Sequence, residues 1–167
     1  MKLFLKFFAL LGISFLFQSC GIYSFSGSAT TAKTIFVSNF INKAGAGPPS
    51  LNINFTEKLK EYYQRNSPLK VVDKKNEGEL SVMGNIISYT MSPIAATAEQ
   101  AAQNRLTITI EVDFIDTRDQ KKNFKQNFSF YSDFPPTVSL SQVEGGRVEE
   151  ILDQIVLDIF NKTAVDW

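Results

Sequence analysis

Leu106, Ile108, Ile110, Val112 and Phe114 alternate with Thr107, Thr109, Glu111 and Asp113. A period of two predicts a strand over residues 105–117, one face buried and the other solvated. The alternation resumes over residues 123–131, where Phe124, Phe128 and Phe130 share a face. The charged turn at 116–122 predicts that the two strands form an antiparallel hairpin. Upstream, TIFVSNFI at 34–41 is β-branched and aromatic and reads as a strand. Two glycines and two prolines then mark a loop at 42–49.

Helical spacing of Leu51, Phe55, Leu59 and Tyr62 or Tyr63 predicts a helix over 50–66, with Ser50 as N-cap and Pro68 as its stop. Residues 69–73 read as a short strand and 74–78 as a polar turn. Residues 79–91 read as a long strand bent or bulged near Gly84. The Ala-rich stretch 93–103 is either a loop or a short helical turn, and 133–139, with Pro135-Pro136, is a linker. A last helix is predicted over 141–162, with a capping box at Ser141 and Glu144. Val148, Ile151, Leu152, Ile155 and Ile159 form its apolar stripe. Gly145-Gly146 costs about 1 kcal/mol per glycine in a helix interior, so a start near Arg147 is the alternative. The order β-α-β-β-β-β-α predicts an α+β fold: a mainly antiparallel four- to five-stranded sheet with two helices packed on one face.

The N-terminal pattern is different. Lys2 and Lys6 are the only charges before position 20, and residues 7–17 are apolar apart from Gly12 and Ser14. As a helix, eleven residues span about 16 Å, against about 30 Å for a bilayer core. The run suits a signal peptide over residues 1–19. Ser19-Cys20 at its end resembles the lipobox of bacterial lipoproteins, with Phe17 and Gln18 at places where Leu and a small residue are usual. Acylation at Cys20 is the favoured reading; ordinary cleavage with a free Cys20 thiol is the alternative. Gly21 in place of Asp resembles an outer-membrane address. Residues 20–32 read as a lipidated tether, although 22–25 could begin an edge strand, and residues 33–167 read as one α+β domain.

The chain has 167 residues, 17 basic and 17 acidic, no histidine and one cysteine. Those counts argue against Ser-His or Cys-His catalysis, common zinc sites and an internal disulfide. Without residues 1–19 the balance is fifteen basic to seventeen acidic, a net charge of −2. That is no nucleic-acid binder's charge. Glu111 and Asp113 share a strand face, but nothing nearby marks them as an acid–base pair rather than solvated carboxylates. Asn54-Phe55-Thr56 matches a glycosylation triplet inside the predicted helix and is discounted. No catalytic residue, cofactor or metal is expected.

The ordered segments Cys20-Gly-Ile-Tyr-Ser-Phe-Ser-Gly27, Phe55-Thr-Glu-Lys-Leu59, Asn104-Arg-Leu-Thr-Ile108, Lys121-Lys-Asn-Phe124 and Ile159-Phe-Asn-Lys162, with terminal Trp167, resemble a divergent branch of the LptE family. The resemblance runs through essentially the whole mature chain. It implies a non-enzymatic outer-membrane lipoprotein of lipopolysaccharide transport, with two helices on a sheet. Such a protein is plug and assembly partner of an LptD-like β-barrel and can bind lipopolysaccharide. It would be lipid-anchored, facing the periplasm and the barrel lumen. Arg105, Lys121, Lys122 and Lys125 are the candidate lipopolysaccharide contacts, on charge and position alone. The competing reading is a periplasmic lipoprotein serving as envelope scaffold or secretion-system accessory.

Overall fold

The alternating stretches make the longest pairings in the molecule. The computed structural model describes residues 30–98 and 101–165. Strands run over Thr34–Val37 (β1), Ile41–Asn42 (β2), Lys70–Val72 (β3), Leu80–Ile94 (β4), Gln103–Asp116 (β5) and Phe124–Phe134 (β6). Helices span Leu51–Asn66 (α1) and Leu140–Ala164 (α2). The sheet order is β3-β1-β4-β5-β6, with β2 also pairing with β4.

The fold is α+β as the pattern predicts, but the sheet is mixed. The long pairs β4–β5 and β5–β6 are antiparallel. The short pairs β1–β3, β1–β4 and β2–β4 are parallel. The crossover through α1 accounts for the parallel β1–β3 pair, because parallel neighbours need a long return connection.

The strand expected over 34–41 is interrupted at 38–40, which gives six strands among the described residues. Phe40 is buried, and its ring meets Phe55 edge-on at 4.8 Å between centroids. Its N–H donates to Thr56 Oγ1 at 3.1 Å rather than to a strand. Ser50 precedes α1, but its hydroxyl accepts from the Asn54 side chain instead of capping backbone.

Both helices cover one face. Leu51, Phe55, Leu59 and Tyr63 of α1 and Ile151, Ile155, Val156 and Ile159 of α2 are buried with Ile35, Leu80, Val82, Ile86, Leu106, Ile108, Ile110 and Val112. Each such side chain contributes roughly 1.5–3 kcal/mol when fully buried. The strand register puts Asn85, Ser88, Thr90, Thr107, Thr109, Glu111, Asp113, Lys125, Asn127, Ser129 and Tyr131 on the opposite face. That face is polar almost throughout.

Two expected irregularities move. The irregular pairing in β4 lies between Ile86 and Ser88, not at Gly84. Gly84 instead allows close strand approach: a Cβ there would lie 1.9 Å from the Glu111 carbonyl oxygen and 2.8 Å from the Phe40 ring. The second is the capping box of α2, a helix that starts at Leu140, before the glycines and one residue from the predicted start. Gln142 Oε1 accepts from the Ser139 N–H at 3.1 Å and from its hydroxyl at 2.9 Å, so the capping box sits at Ser139 and Gln142. Glu144, expected in the box, accepts from the Tyr89 hydroxyl at 2.6 Å. The helix passes through Gly145 and Gly146. Residues 1–29, including Cys20 and most of the tether, and Trp167 lie outside the described residues.

Candidate functional site

The turn between β5 and β6 is built on a buried carboxylate. Asp116 is 2% exposed. It accepts from Arg118 Nη2 at 2.8 Å, Nε at 3.0 Å and the Arg118 N–H at 2.9 Å. Burial pushes its carboxyl up, but the Arg118 hydrogen bonds and charge together outweigh that and hold it below its ordinary value. Asn123 Oδ1 accepts from the Asp116 N–H at 2.8 Å, and Asp119 Oδ1 accepts from the Lys121 N–H at 3.1 Å. These local bonds fix a polar turn with short side chains acting in place of backbone partners.

Lys121 and Lys122 extend from this turn beside a cleft of about 320 Å³. Phe114 and Phe124 are part of its lining, their rings stacked at 5.2 Å. The end of α2 closes it with Lys162, Thr163, Ala164 and Val165, and Thr30 lines it from the N-terminal side. Lys162 Nζ lies 5.9 Å from the Phe124 ring centroid, within cation–π reach. Three lysines therefore line a cleft that shares an aromatic wall. That combination suits an amphiphile carrying phosphate or carboxylate: Lys supplies point charges to the anion, and the rings meet an apolar part.

The four candidate cations do not form one site. Lys121 and Lys122 line the cleft. Lys125 lies on the open polar face, its Nζ 3.1 Å from Glu111 Oε1. Arg105 is eleven residues from Asp116 along β5, which is about 36 Å at strand rise. Its guanidinium holds Asp133 through two hydrogen bonds of 2.8 Å and lies 3.5 Å over the Tyr131 ring. The hydrogen bonds to Asp133 push the Arg105 pKa up, and the same contact pulls the Asp133 carboxyl down. Lys162 was missed by the sequence reading. A basic residue in the last turn of a helix is ordinary dipole complementation, and only the fold brings it to the β5–β6 turn.

Glu111 and Asp113 share the open face as expected, with Glu111 engaged by Lys125. Among the described residues no group of three or more Cys, Asp or Glu could hold a metal ion. Among them, too, no helix is long and apolar enough to cross a membrane.

A family model described as LptE, lipopolysaccharide-assembly, matches residues 32–163. The chain belongs to the LptE family. LptE proteins are non-enzymatic lipoproteins of lipopolysaccharide assembly, associated with the outer membrane. No curated protein sequence matches. Solved structures share the LptE-like fold at low identity. A hypothetical protein from Chlamydia trachomatis has 7% identity and a TM-score of 0.54, covering 80% of this chain and 99% of that one. A minor lipoprotein from Acinetobacter baumannii has 12% identity and a TM-score of 0.51, covering 78% and 91%. A protein from Xanthomonas campestris has 9% identity and a TM-score of 0.52, covering 78% and 84%.

Proposed function

We propose that this LptE-family chain is a lipid-anchored outer-membrane subunit of the lipopolysaccharide translocon. In this reading it plugs and helps assemble an LptD-like β-barrel, and it engages lipopolysaccharide at the β5–β6 cleft. The observation that carries the ligand part is the bordering of stacked Phe114 and Phe124 by Lys121, Lys122 and Lys162. Lipid A presents phosphates beside acyl chains, so one cleft can meet both. Arg105 and Lys125 stand apart from it, paired with Asp133 and Glu111 on the open face.

Two further observations support the reading. Cys20 precedes Thr30 by ten residues, a tether that reaches at most about 35 Å when fully extended. An acyl chain on Cys20 thus confines the cleft to the neighbourhood of the membrane surface. The open sheet face carries short polar side chains such as Ser88, Thr107, Thr109 and Ser129. Such a face suits the polar interior of a transmembrane barrel.

Binding of the full-length lipoprotein to lipopolysaccharide tests the cleft. The combined Lys121→Glu, Lys122→Glu and Lys162→Glu variant should lose at least tenfold in affinity at low salt while its thermal melt stays put. The matching change at Lys125 should leave binding near wild type. Equal binding by the triple variant and wild type would remove the cleft from the account.

A further inference from the structure

Paired and unpaired cations are sorted by place in the fold. β1, β3 and β4 begin at one end of the sheet, where Thr34 lies beside Lys70, Ile35 beside Leu80, and Leu80 beside Asp116, the last residue of β5. β6 starts at the same end, and the last turn of α2 meets it at the cleft. Along the rest of the sheet and helices the cations are taken: Lys58 by Asp153, Lys60 by Glu57, Arg105 by Asp133, Lys125 by Glu111 and Arg147 by Glu150. Lys43 is the exception there. At the end itself, Lys33, Lys70, Lys75, Lys121 and Lys162 are exposed and have no carboxylate within ion-pair reach among the described residues. Of the carboxylates in these turns, Asp116 and Glu79 face Arg118 and Glu77 faces Lys74. That leaves Asp73 and Asp119 against five unpaired ammonium groups.

The N-terminal segment enters the domain at this same end. Arg118 Nη1 donates to Thr31 Oγ1 at 3.0 Å, and Glu79 Oε2 accepts from the Lys33 N–H at 2.9 Å. The root of the chain that leads back to Cys20 is therefore tied to the turns that carry the unpaired lysines. Those lysines divide into two groups. Lys121 and Lys162 line the cleft. Lys33, Lys70 and Lys75 do not. Lys70 and Lys33 are adjacent, joined by a bond from the Lys70 N–H to the Lys33 carbonyl at 2.9 Å, and Lys75 lies in the turn that follows β3.

We infer that Lys33, Lys70 and Lys75 form a basic surface that seats this end of the domain on anionic phospholipid headgroups, in the leaflet that holds the Cys20 acyl chains. Exposed ammonium groups without protein partners are drawn to an anionic lipid surface within a screening length, about 10 Å at 0.1 M salt. A tether of at most about 35 Å keeps them close to that surface. An acyl anchor and a basic patch together hold a protein more firmly than either does alone. In a plugged barrel the same end stands at the mouth, level with the surrounding headgroups. The inference rests on the lipid-anchored reading of Cys20 and does not depend on lipopolysaccharide binding at the cleft.

The test uses the full lipoprotein in vesicles that contain no lipopolysaccharide and carry a quencher on lipid headgroups. A fluorophore is placed on Asn76→Cys, in the basic turn, or on Ser141→Cys, at the far end of α2; both positions are exposed. With Cys20 acylated, each variant has one free thiol. In phosphatidylcholine vesicles containing phosphatidylglycerol, at low salt, quenching at residue 76 should be at least about threefold that at residue 141. It should fall to the residue 141 level in pure phosphatidylcholine, at high salt, and in the Lys70→Glu, Lys75→Glu double variant. Equal quenching at the two positions with phosphatidylglycerol would overturn the inference. So would quenching at residue 76 that persists in pure phosphatidylcholine or at high salt, a comparison that leaves the lysines unsubstituted. The double variant should keep its affinity for lipopolysaccharide, because Lys121, Lys122 and Lys162 are intact. Loss of that affinity in step with the quenching would overturn the assignment to phospholipid. Flotation with phosphatidylcholine vesicles reads the anchor by itself. Failure to float rejects the anchor and the inference with it, whereas a chain that floats without selective quenching at residue 76 rejects the basic surface alone.

Discussion

The Tyr63 hydroxyl donates to Thr163 Oγ1 at 2.5 Å, both groups buried, and this bond joins α1 to the last turn of α2. The direction follows from the proton count, since Thr163 gives its own proton to the Ile159 carbonyl at 2.7 Å. Burial pushes the Tyr63 phenol well above its ordinary pKa, against a smaller opposing effect of the Thr163 bond, so it stays a neutral donor.

Removing the donor and removing the acceptor should differ. Tyr63→Phe deletes one hydrogen bond and should cost about 1 kcal/mol. Thr163→Val leaves the Tyr63 hydroxyl buried without its acceptor and should cost about 1–3 kcal/mol. Urea denaturation of the two variants checks the order. A larger loss for Tyr63→Phe would show that the proton runs the other way.

Glycines in this chain do opposite things. Gly84→Ala forces a Cβ against the Glu111 carbonyl and should cost about 3 kcal/mol or more, because backbone cannot step aside as a flexible side chain does. Gly145→Ala and Gly146→Ala meet nothing within 4 Å and lie inside α2. Each should stabilise by up to about 1 kcal/mol. Midpoints from chemical denaturation would separate the sites, and a neutral Gly84→Ala would refute the close approach.

Acid stability follows from Asp116 and Asp133. Both carboxyls are held below their ordinary value in the folded chain. A depressed folded pKa contributes stability that is present above the unfolded value of about 3.9. That stability is lost as pH falls through the folded pKa. Wild type should therefore lose stability below about pH 4. Asp116→Asn should be less stable near neutrality and show a shallower acid slope, with the Asp133 part remaining. Denaturation midpoints across that pH range report the slope, and an unchanged slope would exclude Asp116 as a contributor.

The parts of the fold that sequence reveals are those where a single element carries its own signal. The alternation from Leu106 to Phe114 needs no partner to be read, and the Leu51–Phe55–Leu59 spacing likewise marks α1. What was hidden depends on neighbours distant in sequence. Phe40 leaves the strand because Phe55 and Thr56 receive it. Gly84 reads as a bend until the Glu111 carbonyl is placed beside it. Local propensity favours starting the last helix after Gly145-Gly146, but the Ser139–Gln142 box and the Tyr89–Glu144 contact hold the earlier turns. The cationic cleft was half legible. Lys121 and Lys122 are adjacent in the chain, whereas Lys162 reaches them only because α2 crosses the sheet, and Arg105 is removed by the length of β5.

Co-purification from the outer membrane tests the central claim most directly. The full-length tagged chain, extracted in mild detergent, should bring down a large β-barrel protein in stoichiometric amount, and Cys20→Ala should sharply reduce that recovery. Isolation of the wild-type chain from outer membranes free of any such barrel would contradict its place as a translocon subunit.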